Sequence, residues 1–201
     1  MPFQPILPTW LALNSCNDSS PTGLSDARTG LAYMAGGLNL GDYFDLTEQE
    51  AQGIDYVPQG GPQVTLHAGR YRRVQVDSGA TASNVKTGTI GLMVAGLQPN
   101  LNVVTSYDKG IVGAHVVVFL NAITPGNYGF VQELGIASVL CGATLQKAAP
   151  ASGDILVTTT LGVAQDLTAQ TVDKEMLGVA LSPPSPTTLC LVQLDQTTLQ
   201  G

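Results

Sequence analysis

Charged side chains are scarce in this 201-residue chain: Asp, Glu, Lys and Arg together make up 11% of it, and only 8 residues are Lys or Arg. A nucleic-acid surface needs a dense Lys/Arg footprint to displace counterions from phosphates. With a net charge of −7, direct nucleic-acid binding is not expected. Low charge beside 44% apolar residues is also the reverse of a disordered composition. Cysteine is equally sparse. Cys16, Cys141 and Cys190 are odd in number, widely spaced and never in a C-x-x-C pair. That excludes a disulfide framework and a cysteine zinc site, and leaves core or near-core thiols in a reducing compartment. His67 and His115 are the only histidines, and no G-x-S-x-G elbow accompanies them, so a Ser-His-Asp hydrolase is not expected. No glycine-rich loop leads into a helix and Lys, so no nucleotide site is expected. No apolar run approaches the ~20 residues of a membrane helix. The start, Met-Pro-Phe-Gln-Pro, lacks the basic and apolar regions of a signal peptide. A soluble protein made in the cytoplasm is the expectation, with no membrane partner, cofactor or metal.

What remains is apolar, glycine-rich (23 Gly) and unevenly charged. Residues 1–60 hold Asp18, Asp26, Asp42, Asp45, Glu48, Glu50 and Asp55 against Arg28 alone, whereas the remainder is nearly neutral. Pro2, Pro5, Pro8 and Pro21 fix φ and remove backbone donors, so residues 1–45 read as an extended arm. Phe3, Ile6, Leu7, Trp10 and Leu11 are its anchoring apolar residues. Trp10 marks the arm as one that lies on the body or on a neighbour. One short helix is expected within 47–53, where Thr47 and Glu50 have capping-box spacing and Gly53 is a stop.

Beyond residue 60 the pattern is that of strands. "TIGLMVAGL" (89–97), "NVVTSY" (102–107), "AHVVVFLNAI" (114–123) and "YGFVQELGIASVL" (128–140) are rich in β-branched and aromatic residues. Turn signals separate them at Asp77-Ser78-Gly79, Lys86-Thr87-Gly88, Asp108-Lys109-Gly110, Pro125-Gly126-Asn127 and Ser152-Gly153-Asp154. The fold class expected is mainly β: an antiparallel sandwich or small barrel over 61–201, behind an acidic, irregular N-terminal region over 1–60. Two sub-barrels, 61–123 and 124–201, are the subdivision the turns allow. The pattern L-G-[IV]-A occurs at 134–137, 161–164 and 177–180. Its unequal offsets rule out a solenoid and suggest strands meeting at a crowded position.

Two short stretches invite sharper readings. "VQVDSGATASNV" (74–85) is spelled like the catalytic loop of a retroviral-type aspartic protease, with Asp77 in the place of the carboxylate. Such an enzyme needs two carboxylates sharing one proton. Here polar Asn84 and the turn at Lys86-Thr87-Gly88 break the pattern, and no apolar-Gly partner element follows at the right spacing. A turn capped by Asp77 is the simpler reading. "RYRR" (70–73) holds three of the basic residues. Alternation puts Arg70 and Arg72 on one face and Tyr71 and Arg73 on the other. Read plainly, this is a solvated strand with His115 a hydrogen-bonded structural residue in another. Read for function, Arg70, Arg72, Arg73 and Trp10 are the candidate interaction residues, the arginines facing an acidic partner such as the N-terminal third of a second copy.

Taken together, "YRRVQVDSGATASNVKTGTIGLMVAG", "NVVTSYDKG", "HVVVFLNAITPGNYGFVQELGIASVL" and "LGVALSPPSPTTLCLVQL" resemble the capsid decoration, or cement, proteins of tailed bacteriophages. The resemblance spans residues 70–194, and "ITPGNYGFVQE" (123–133) is its most specific piece. It implies a non-enzymatic, β-rich virion protein on the capsid exterior. Such a protein bridges neighbouring copies of the major capsid protein, usually as a homotrimer. Two other functions set against it are a tail or baseplate adhesion module, for which Trp10 is the only Trp, and the Asp77 protease.

Overall fold

The computed structural model describes residues 41, 43–51, 55–56, 64–93, 103–107, 115–159, 161–166 and 176–194. Residues 1–40 of the expected arm, with Trp10 and Cys16, and the turn at Asp108-Lys109-Gly110 lie outside them. The described chain is mainly β. Its strands are β1 (Tyr43–Leu46), β2 (Asp55–Tyr56), β3 (Val64–Thr65), β4 (Gly69–Val76), β5 (Ile90–Met93) and β6 (Val103–Ser106), then β7 (His115–Phe119), β8 (Tyr128–Leu140), β9 (Ile155–Thr158), β10 (Ala164–Asp166), β11 (Met176–Ala180) and β12 (Leu189–Leu194). The short helix α1 (Glu48–Ala51) lies inside the expected 47–53 window; it opens with the Ala51 amide donating to the Thr47 carbonyl.

Strands β4, β6, β5, β7 and β8 pair in that order, and β8 pairs back onto β4 to close a five-stranded barrel. All these pairs are antiparallel except β4–β6, which is parallel over Gln75↔Val103 and Val76↔Val104. Closure removes the free edges that an open sheet would expose. Val74, Val76, Met93, Val104, Val117, Phe119 and Val131 fill its core. Strand alternation puts these residues on one face of their strands.

β8 is long because its pattern serves two cores. Its first half closes the barrel. Its second half pairs with β12 from Leu189↔Leu140 to Leu194↔Gly135, and β11, β9 and β10 continue the sheet. A bridge from Cys141 to Ala164 brings β10 back beside the end of β8. Ala137, Val139, Leu156, Leu177, Val192 and Leu194 fill this second core, and Ile90 and Val118 join them from the outer face of the first barrel. The two cores share β8, so residues 61–123 close a barrel only together with residues after 124.

The crowding expected from the L-G-[IV]-A pattern is real in all three copies, and two of them share one position. One lateral row runs Gly69↔Gly135↔Leu194↔Gly178↔Leu156 across β4, β8, β12, β11 and β9. Gly135 has φ of 90°, and a Cβ there would sit 2.2 Å from the Ala68 carbonyl oxygen. Glycine is what that backbone approach requires. In the third copy, at 161–164, a Cβ on Gly162 would sit 2.8 Å from the Ile90 carbonyl oxygen, and the chain leads through a turn into β10.

Part of the N-terminal region is regular, contrary to expectation. Residues 43–46 form β1, which pairs with β4 from Tyr43↔Arg72 to Leu46↔Gly69. The prolines that argued against a strand lie upstream, and Tyr43-Phe44-Asp45-Leu46 carries none.

Candidate interaction surface

The arginine strand sits between β1 and β8, and this placement decides what its side chains do. Arg70 forms a two-point ion pair with Asp45, Nε to Oδ1 at 2.8 Å and Nη2 to Oδ2 at 3.1 Å. The acid expected from the N-terminal third of a second copy is therefore supplied by the same chain. The guanidinium of Arg70 also lies 4.5 Å over the ring of Tyr43, which is 54% exposed. The pair with Arg70 holds the Asp45 carboxyl below its ordinary range.

Arg72 pairs with Glu133 and has the Tyr43 ring 5.8 Å away. Glu133 is buried because β8 bulges there. Register runs Tyr71↔Gln132 and then Arg70↔Leu134, so Glu133 is the extra residue. Beside the bulge, the Nε2 of buried Gln132 donates to the Leu134 carbonyl at 3.1 Å and to the Ile136 carbonyl at 2.7 Å.

Arg73 corrects the solvated-strand reading. It is 1% exposed, with its guanidinium 5.7 Å from the Phe130 ring centroid and 6.0 Å from that of Tyr128. Alternation puts Tyr71 and Arg73 on one face as expected, but that face is buried, and the other is covered only at its Val74–Val76 end. Arg73 is thus a packing residue of this chain, and Arg70 and Arg72 with Tyr43 form the accessible part of the patch. His115, expected as a hydrogen-bonded structural residue of a strand, is the exposed first residue of β7; the carbonyl of half-buried His67 accepts from the Tyr71 hydroxyl at 2.7 Å.

Asp77 forms a local turn. Its Oδ1 accepts from the Gly79 amide at 3.2 Å, and its carbonyl accepts from the Ala80 amide at 3.0 Å. Gly79 has no positive φ; it leaves room for that carboxylate, which a Cβ would approach to 3.3 Å. The turn at 124–127 docks beside it, with Gly126 donating to the Val76 oxygen and Val76 to the Asn127 oxygen, both at 2.9 Å.

Sequence reasoning missed the outward apolar side chains of the second sheet. Ile155 and Val179 are register partners on β9 and β11, both exposed, and exposed Leu181 follows at the end of β11. Their neighbours Leu156 and Ala180 point into the core. The aliphatic clusters at 155–157 and 177–181 could have marked these strands. Their adjacency could not be read, because β9 and β11 are separated in sequence by β10. A groove of about 740 Å³ lies near the other end of this sheet, with Leu140, Cys141, Leu161, Val163 and Leu189 among its lining residues. Among the described residues no cluster of three or more His, Cys, Asp or Glu could hold a metal ion.

No protein-family model matches the chain, and no curated protein matches it. Among solved structures, the N base of head fiber gp8.5 of bacteriophage phi29 is similar at a TM-score of 0.43 and 16% identity, over 65% of this chain and 98% of that one. Identity at that level speaks to fold alone, and at that TM-score nothing about this chain's role follows from it.

Proposed function

We propose that this chain is a structural protein of a bacteriophage particle, and that it binds the outside of the assembled capsid as a homotrimer, cementing neighbouring subunits. The stretch 123–133 carries the reading. It is the most specific part of the resemblance to capsid decoration proteins. Its residues do packing work: Ile123 enters the barrel core, 124–127 turn against the end of β4, and Phe130 and Val131 are buried in β8. A motif of this kind specifies a scaffold. The exposed aliphatics Ile155, Val179 and Leu181, with the Tyr43–Arg70–Arg72 patch, supply surfaces for protein partners. Many copies on a lattice gain by multivalency, so each contact can be small.

Light scattering on the purified protein, followed by mixing with empty phage capsids, tests the proposal. The expected result is a trimer that co-sediments with capsids in fixed stoichiometry and raises their heat resistance. A monomer that leaves such capsids bare would overturn it.

A further inference from the structure

We infer that Cys141 and Cys190 are a redox-active pair, able to close a reversible in-chain disulfide that ties the end of β8 to β12. The inference rests on the two sulfurs and is independent of the capsid reading. Cys141 follows β8 directly, and its amide donates to the Thr188 carbonyl at 2.9 Å. That hydrogen bond puts Cys141 opposite Thr188, two residues before Cys190 on β12. The cysteines are therefore diagonal neighbours across an antiparallel pair, on the face that fills the second core. Their Sγ atoms are 3.2 Å apart. Closing to the ~2.0 Å of a disulfide requires a movement of about one ångström, within reach of side-chain rotation.

Access and acidity give the two sulfurs different roles. Cys141 lines the groove, whereas Cys190 does not. The hydrogen bond with Cys190 holds the Cys141 thiol below its ordinary value, and the same bond, with burial, pushes the Cys190 thiol up. Cys141 is thus the attacking sulfur and Cys190 the resolving one.

Hydrogen peroxide is small enough to enter the groove and serves as the oxidant. Cys141 sulfur attacks one peroxide oxygen and the O–O bond breaks. The other oxygen leaves as hydroxide and takes the thiol proton to become water, leaving Cys141 as a sulfenic acid. Cys190 sulfur then attacks Cys141 sulfur, the S–O bond breaks, and the Cys190 proton leaves with the hydroxyl as a second water. Two thiols are oxidised by two electrons, one peroxide is reduced to two waters, and a dithiol reductant reverses the result by exchange.

The test uses the full chain carrying Cys16→Ser, so that only this pair can react. The protein is treated with hydrogen peroxide, denatured, alkylated with iodoacetamide and weighed intact. Two alkylated cysteines before treatment should become none, with a loss of two hydrogens, and the peptides holding residues 141 and 190 should be recovered joined. Dithiothreitol should restore both thiols. A second chain, Cys16→Ser with Cys190→Ser, should stop at a sulfenic acid on Cys141 that dimedone traps. Thiols that both stay alkylatable, or that add oxygen without joining, would overturn the inference, as would cross-links found only between chains.

Discussion

Single side chains here are decided by how far each is from water. Arg70–Asp45 and Arg72–Glu133 are both ion pairs on neighbouring positions of β4, yet they differ in consequence. The first is well exposed, and exposed pairs contribute little, so Asp45→Ala should leave the urea midpoint essentially unchanged. Glu133 is buried and Arg72 half-buried. Glu133→Ala should therefore destabilise by about 2 kcal/mol in urea titrations, less than a fully buried pair would lose, because Arg72 still reaches solvent. His67 gives a pH signature. Burial lowers its pKa from 6.5, with the charge of Glu48 opposing. The unfolded chain then binds the proton more readily than the folded one. Stability is complete well above 6.5 and falls as pH drops through 6.5 towards the lower folded value. Unfolding midpoints measured across that window should decline, and His67→Gln should flatten the decline. The Asp45 contribution is lost only at lower pH, below the ordinary 3.8. Alternation set Arg73 on the face opposite Arg70 and Arg72, but the sequence did not say which face packs. Their partners lie 25 residues upstream and about 60 downstream, so only pairing could separate a packed arginine from two half-exposed ones.

At the scale of elements, local pattern and local turn chemistry were legible. The run 128–140 is one strand with those bounds, the turns at 77–80 and 124–127 close as their Asp, Pro and Gly residues indicate, and the short helix α1 lies within its capping window. Short strands were less legible. β9 and β10 hold four and three residues, too few for alternation to stand out from a loop. The loop between β8 and β9 is held by carboxylates: Asp166 accepts from the Gln146 amide at 2.6 Å and the Lys147 amide at 2.5 Å, and Asp154 accepts from the Ala151 amide at 2.9 Å. Asp166→Asn replaces one of two acceptors with a donor facing an amide. Trypsin should then cut after Lys147 several-fold faster than in the parent protein, read as the appearance of the two fragments, while cleavage after Lys86 serves as the internal reference.

For the whole molecule, the governing fact is that β8 belongs to both cores. Local loss at the shared strand is therefore felt on both sides. The proposed cross-link acts at this scale, because it closes a loop between positions 49 apart in the chain. Constraint of the unfolded chain by such a loop is worth up to about 4 kcal/mol. Oxidised Cys16→Ser protein should accordingly unfold at a higher urea concentration than the same protein reduced, and Cys190→Ser should show no oxidation-dependent shift.

What the sequence determined by itself was class and chemistry of short range: a β-rich chain with few charges, strands where β-branched residues cluster, an Asp77 turn where a catalytic loop was spelled, and three crowded glycines. These follow from backbone preferences and from neighbours a few residues away. Tertiary structure alone decided that the barrel closes through a parallel β4–β6 pair, that Arg73 is buried, that Ile155 and Val179 stand side by side on the surface, and that Cys141 and Cys190 touch. Each depends on which distant strand lies alongside which, and pairing between strands is set by the joint burial of residues that no local pattern links.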